Sequence, residues 1–249
     1  MIIRCLCRIF LLGVLALPSL SAQVTDNAST SHVFAEFADG KFNDGSYYRS
    51  TTMVATDSST VVSCTWTLYG LTVTGFGDGA RLAFSLPAGG WDIRKTTAAQ
   101  AFKGGYATLT CSSPVTAQIL YTYYSSSGQV LSEATVFSSP AATIGQLLAD
   151  QTNGSQLGIA IANHSGAMKT YIVFAETISG ELAGKTTIQI PARSQVAKFL
   201  NELIPTIPTN FTGAVFVFSD SEEFEDIFMI GLRYTGSAFS TIPVTRREF

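Results

Sequence analysis

Residues 60–69 read TVVSCTWTLY, and this stretch decides the fold class. Val62, Cys64, Trp66 and Leu68 alternate with Ser63, Thr65, Thr67 and Tyr69. Apolar positions two apart share one face of an extended chain, whereas a helix needs them three and four apart, so the stretch reads as a half-buried strand. YATLTC (106–111) does the same, with Ala107, Leu109 and Cys111 on one face. Charged residues make up only 13% of the chain, while Thr, Val, Ser and Gly are abundant and turn clusters recur at short intervals. Composition and period together predict an all-β chain.

Cys64 and Cys111 both fall on inward faces. The other two cysteines, Cys5 and Cys7, sit in a different kind of segment. Arg4 and Arg8 open it, IFLLGVLAL (9–17) is apolar but too short to span a bilayer, and PSLSA (18–22) supplies small residues for cleavage. Residues 1–22 therefore read as a secretory signal. Export leaves Cys64 and Cys111 in an oxidising compartment, where two cysteines are most simply one disulfide. Without residues 1–22 the 15 basic residues fall to 13 against 18 acidic ones, and the formal net charge moves from −3 to −5. A surface of that sign gives no footing to nucleic acid or anionic membrane. No later apolar run approaches the length of a transmembrane helix. The expectation is a secreted product, periplasmic or extracellular, with no transmembrane segment.

The strand pattern is written twice. Aligning FSLPAGGW (84–91) with IQIPARSQ (188–195) gives an offset of 104 residues between their prolines. MVATDSSTVVSCTWTLY (53–69) against AIANHSGAMKTYIVFAE (160–176) gives 107, and GGYATLTCSS (104–113) against TGAVFVFSDS (212–221) gives 108. Small drifts in offset with the order of elements kept describe a diverged duplication with loop insertions. Two tandem β-sandwich modules follow, Ig-like or jelly-roll-like, over 32–140 and 141–249, joined near SSPAATIGQ (138–146). The alignment sets Cys64 and Cys111 against Tyr171 and Ser219, so the bridge would belong to the first module alone. One helix is expected, over 194–204: Ser194 caps it, Val196, Phe199, Leu200, Leu203 and Ile204 share a face, and Pro205 ends it.

HVFAEFADG (32–40), GIAIANHSG (158–166), IPARSQVAKFLNELIP (190–205), FTGAVFV (211–217) and IGLRYTGSAFSTIPV (230–244) together resemble a family of secreted bacterial tandem β-sandwich modules, often appended to larger extracellular proteins. The resemblance covers nearly all of the chain after residue 22. It implies the fold and export; the family has no established activity, so no functional residue carries over. KFNDGSYYRS (41–50) replaces the usual Gly-rich opening after FADG, and SDSEEFED (219–226) is more acidic than the usual hairpin there.

Catalytic constellations are scarce. The chain holds two histidines, His32 and His164, and neither a G-x-S-x-G elbow nor an S-x-x-K motif, so a serine hydrolase finds little support and both histidines read as solvent-facing or turn residues. Zinc lacks an H-E-x-x-H motif, and the cysteines are better used as a disulfide. Asp220, Glu222, Glu223, Glu225 and Asp226 crowd five carboxylates into seven residues, a weak calcium candidate whose ordinary reading is a solvated, charge-protected hairpin. Asp39, Asn43 and Asp44 in ADGKFNDG (38–45) are turn formers first and metal ligands second. No cofactor is expected. Tyr47, Tyr48, Trp91, Tyr121, Tyr123 and Tyr124 are the rings available to a sugar-binding face, although Tyr121 and Tyr123 point opposite to Tyr124.

AVFVF (214–218) and IFMIGL (227–232) are apolar on both faces, so both faces of each strand should be covered. The helix or the other module would supply the cover; the alternative is a docking patch of Phe216, Phe218, Phe228 and Ile230. The reading as a whole is an exported, non-enzymatic adhesion, scaffold or accessory-binding protein with an unknown protein or glycan partner. Its alternatives are a carbohydrate-binding module, which needs coplanar exposed rings, and a secreted hydrolase, which needs two carboxylates facing across a cleft.

Overall fold

The computed structural model describes residues 28–219 and 227–247. The described part of the chain is all-β. Strands β1 (Ser29–Lys41), β2 (Tyr47–Ala55), β3 (Val62–Tyr69), β4 (Arg81–Leu86), β5 (Trp91–Lys95), β6 (Lys103–Tyr124) and β7 (Val130–Phe137) form one antiparallel sheet that bends over itself. The bend exists because β6, 22 residues long, belongs to both layers. Its first half pairs with β1 and with β3, which carries β4; its second half pairs with β7 and with β2, which carries β5. Along β3 the alternation is met residue by residue: Val62, Cys64, Trp66 and Leu68 are buried, and the residues between them are not. Trp66 packs on Phe34 with ring centroids 5.3 Å apart, near the Cys64–Cys111 disulfide that joins directly opposed residues of β3 and β6.

The second half of the chain contributes β8 (Ile144–Asp150), β9 (Gln156–Asn163), β10 (Lys169–Thr177), β11 (Leu182–Ile190), β12 (Ser194–Phe199), β13 (Thr212–Ser219), β14 (Phe228–Thr235), β15 (Ala238–Ile242) and β16 (Thr245–Arg247). They form two facing sheets, β11-β10-β13-β8-β16 and β12-β9-β14-β15. The strand order of the first half recurs here. β4-β3-β6-β1 corresponds to β11-β10-β13-β8, and β5-β2-β6-β7 corresponds to β12-β9-β14-β15, with β13 and β14 standing where β6 runs unbroken. Tyr171 pairs with Ser219 across β10 and β13, as Cys64 pairs with Cys111 across β3 and β6.

Packing joins the two halves. The β12-β9-β14-β15 sheet buries Leu157, Ile159, Ile161 and Met229 against Leu147, Val173, Val215 and Val217 of its partner sheet. Its other face, with Ala160, Ala162, Ile230 and Leu232, joins the core of the first half. The small side chains of Ala160 and Ala162 permit this close approach.

The expected helix over 194–204 is corrected by the structure. Ser194–Phe199 is strand β12, in continuous register with β9 from Ser194↔Asn163 to Phe199↔Gly158, and only Leu200–Leu203 forms a helical turn, α1. The apolar spacing was real, but the open edge of β9 offered six consecutive backbone partners, and tertiary pairing overrode local period. Ser194 caps nothing helical; the Glu202 carboxylate instead accepts the Phe199 N–H at 2.8 Å.

Asn163, fully buried at the end of β9, fixes the geometry of this edge. Its amide nitrogen lies 2.8 Å from the Ala167 carbonyl, 2.9 Å from that of Ile190 and 3.0 Å from that of Pro191. Its amide oxygen accepts from the Ser165 N–H at 2.9 Å and the Ser165 hydroxyl at 2.7 Å. Asn163→Ala strips the buried Ile190 carbonyl of this donor and is expected to cost about 2 kcal/mol, read as a lower urea midpoint with unchanged m.

Candidate ligand-binding site

The sequence places a lone glutamate in an apolar run, VFAEFA (33–38). In a regular strand Phe34 and Glu36 would share one face and Phe37 would take the other. The register between β1 and β6 shifts between Phe34 and Phe37, opposing Phe34 to Ala107 and Phe37 to Gly105. This bulge puts two residues, Ala35 and Glu36, against Tyr106 alone, so both phenylalanines reach the core and Glu36 is re-aimed. Its carboxylate is turned toward β12, where Gln195 Nε2 donates to Glu36 Oε2 at 2.9 Å and to the Gly105 carbonyl at 3.2 Å. Gly104 and Gly105 make room for the contact. A Cβ on Gly104 would stand 3.1 Å from Glu36 Oε1, and one on Gly105 would stand 2.1 Å from the Tyr69 carbonyl oxygen.

Glu36 and Gln195 form the floor of a cleft of about 670 Å³ between the first half of the chain and the β12-β9 edge. Phe42, Tyr48, Phe102, Tyr121, Phe199 and Tyr234 line it. The rings hold one another: Phe42 stacks on Phe102 at 4.4 Å, Tyr48 stacks on Tyr123 at 4.7 Å, and Phe199 meets Tyr234 edge-on at 5.5 Å. Two buried polar atoms of the lining have no hydrogen-bond partner, the Tyr121 hydroxyl and Gln195 Oε1. Lys198 and Glu202 stand at the exposed rim.

Burial dominates the electrostatics. It pushes the Glu36 carboxyl up to about 8, with the Gln195 hydrogen bond acting in the other direction. Tyr234 is pushed up to about 12, by burial first and the neighbouring Glu36 charge second. The Tyr48 and Tyr121 phenols are also raised, again chiefly by burial. Burial thus favours the protonated, uncharged form of Glu36 at the floor of the cleft.

The other candidate residues are dispersed. Phe228 and Ile230 of the docking patch turn toward the first half of the chain and pack against its core. Phe216 and Phe218 lie half-exposed on the outer face of β13, where Phe216 stacks on Phe174 at 4.9 Å. The four do not form one patch, because adjacent strands of the same pattern face different layers. Asp220, Glu222, Glu223, Glu225 and Asp226 lie outside the described residues, as does the expected signal, 1–22. Asp44 closes its turn by accepting the Ser46 N–H at 2.9 Å and hydroxyl at 2.6 Å. Among the described residues no group of three or more His, Cys, Asp or Glu side chains is arranged to hold a metal ion.

The histidine expectation is corrected for His32, which is buried. Its Nε2 lies 2.9 Å from the Val115 carbonyl and 3.2 Å from that of Ser29, so the proton belongs there and Nδ1 accepts from the Ser138 hydroxyl at 3.1 Å. With both Nε2 contacts ending on backbone carbonyls, the ring ties β1 to β6 and to the connection after β7. His164 does lie in a turn, beside Arg193 and the Tyr106 hydroxyl. Burial first and the Arg193 cation second hold it below the usual imidazole value.

No family model, curated protein or solved structure matches this chain. The cleft must therefore be read from its own chemistry. Sequence reasoning passed over Glu36 and Gln195, although one signal was present: a single acid amid five apolar neighbours, too costly to bury without a use or a partner.

Proposed function

We propose that this chain is an exported, non-enzymatic binding protein that holds a small ligand in the cleft between its two β halves. One observation carries the reading: an apolar, ring-lined cavity of ligand size converges on a few buried polar groups. The signal-like first 22 residues and the disulfide are the support for export. Binding is preferred to hydrolysis because the second carboxylate of the cleft, Glu202, sits at the rim and already accepts the Phe199 N–H.

A fluorescence thermal-shift screen of the folded protein against a diverse small-molecule library tests this. A ligand at a hundredfold excess over its Kd stabilises by about 3 kcal/mol. Ala197 is exposed on β12 and lines the cleft, so Ala197→Trp fills it from the rim without touching the core. Stabilisation by a hit should vanish in Ala197→Trp; equal stabilisation of both proteins would place the site elsewhere and sink the proposal.

A second reading, glycan binding, draws on a different surface. Trp91 is 70% exposed and Ile93 55%, and Ile93, Met53, Gln118 and Phe137 are successive register partners across four strands. Its exposed rings, Trp91 and the 47% exposed Phe137, stand at opposite edges of the row, and Tyr47 and Tyr124 are taken up in stacking on each other at 4.7 Å beneath Arg49. Retention on insoluble polysaccharide that Trp91→Ala abolishes would favour this reading.

A further inference from the structure

Resting on the cleft as the binding site, we infer that its ligand is a small organic cation: a primary ammonium carried on an apolar or aromatic body. The floor of the cleft is a set of acceptors. Gln195 Nε2 donates to Glu36 Oε2 and to the Gly105 carbonyl, and a carbonyl can only accept, so the amide orientation is fixed and the unpartnered atom is its oxygen. The Tyr121 oxygen, only 2% exposed as a residue and also unpartnered, can accept as well as donate. Glu36 supplies a third acceptor. An ammonium group has three donors and no acceptor, the complement of that floor.

Charge leads to the same ligand. A buried carboxyl with no cation beside it keeps its proton, since the charged form would be left uncompensated in a dry site. Facing Glu36 are the phenols of Tyr48, Tyr121 and Tyr234 and the amide of Gln195; the charged side chains of the lining, Lys198 and Glu202, are at the solvent rim. Glu36 owes its raised value to burial, with no cationic side chain opposing it. A cationic guest provides the missing counter-charge. On its entry Glu36 releases its proton to solvent, the ammonium keeps its own, and the carboxylate and ammonium form a pair. The aromatic walls add cation–π attraction that an anion would not receive and a neutral group would receive only in part.

Isothermal titration of the folded protein at pH 7 with 2-phenylethylammonium, its neutral analogue 2-phenylethanol and the anion 3-phenylpropionate tests the inference. The cation is expected to bind about tenfold or more tighter than the neutral analogue. Titrations in phosphate and in HEPES, whose ionisation enthalpies differ, should report close to one proton released per cation bound at pH 7 and fewer at pH 8. Glu36→Gln should remove the preference for the cation, so that 2-phenylethylammonium binds that variant no more tightly than 2-phenylethanol binds it. Equal or tighter binding of the neutral or anionic probe, or cation binding without proton release, overturns the inference. If some other ligand is lost on Ala197→Trp while 2-phenylethylammonium does not bind, the cleft reading stands and the ligand class is wrong. Cation binding that survives Ala197→Trp means that the cleft itself was misassigned.

Discussion

Opening the Cys64–Cys111 bridge, by reduction or by the double substitution Cys64→Ala and Cys111→Ala, is expected to destabilise the protein by about 4 kcal/mol. The bridge closes a loop with a sequence separation of 47. In the chain-entropy account, releasing it returns that freedom to the unfolded chain and leaves native contacts in place. For a chain of this size the loss corresponds to a fall in Tm of roughly 8 to 16 °C. The strands themselves should survive. In the second half, Tyr171 and Ser219 occupy the equivalent paired positions with no bridge, and the sheet around them has the same order. The far-ultraviolet circular dichroism spectrum is therefore expected to be unchanged below the transition, with only the midpoint moved. A midpoint shifted by less than about 1 kcal/mol would show that the loop is already restrained in the unfolded chain.

How much of this was legible in the sequence depends on the range of the cause. Period two along β3 and the first half of β6 is a local property, and it identified strands, inward faces and both cysteines together. The internal alignment was also legible, down to the register that pairs Tyr171 with Ser219. The helix expected over 194–204 gave way to strand over Ser194–Phe199 because its competitor, the open edge of β9, lies some 30 to 40 residues back in the chain. Glu36 and Gln195 were missed for the same reason on a longer scale: they are 159 residues apart, and the contact needs both the bulge in β1 and the meeting of two halves of the chain. Neither is a pattern in any single window.

The doubly apolar strands make the point from the other side. Ile230 and Phe228 are covered by the first half of the chain, whereas Phe216 and Phe218 stay half-exposed on the outer sheet, each against the ring of Phe174. Two stretches of the same pattern differ because one belongs to the middle layer and the other to the outer one. Layer membership is set by topology, which composition does not encode.

Glu36→Gln is expected to stabilise the protein at alkaline pH and to change little in acid. The sign follows from where the proton sits. Burial holds the folded carboxyl protonated up to about 8, while the unfolded chain releases its proton near the ordinary glutamate value of 4.5. Between those two values the folded state binds more protons than the unfolded one, so wild-type stability falls as the pH rises through that window and levels off above it. One proton over that span amounts to a loss on the order of 4 kcal/mol by pH 8. Glutamine never ionises, and its amide oxygen can still accept from Gln195 Nε2. The variant should match the wild type near pH 4.5 and exceed it progressively toward pH 8. His32 bends both curves in the opposite direction, since its value is lowered by burial and stability is lost as the pH falls below 6.5, but it is common to both proteins and cancels in the difference. Urea midpoints of the two proteins at pH 5, 7 and 9 measure it. Parallel curves would show that Glu36 titrates as a hydrated carboxyl, which would remove the reason for a counter-charged ligand along with the stability effect. A diverging pair would leave a residue that lowers stability over the neutral and alkaline range, with glutamine a stable alternative of nearly the same shape. Such a cost at a ring-lined cleft is the pattern of a site organised around its ligand and not around its own fold.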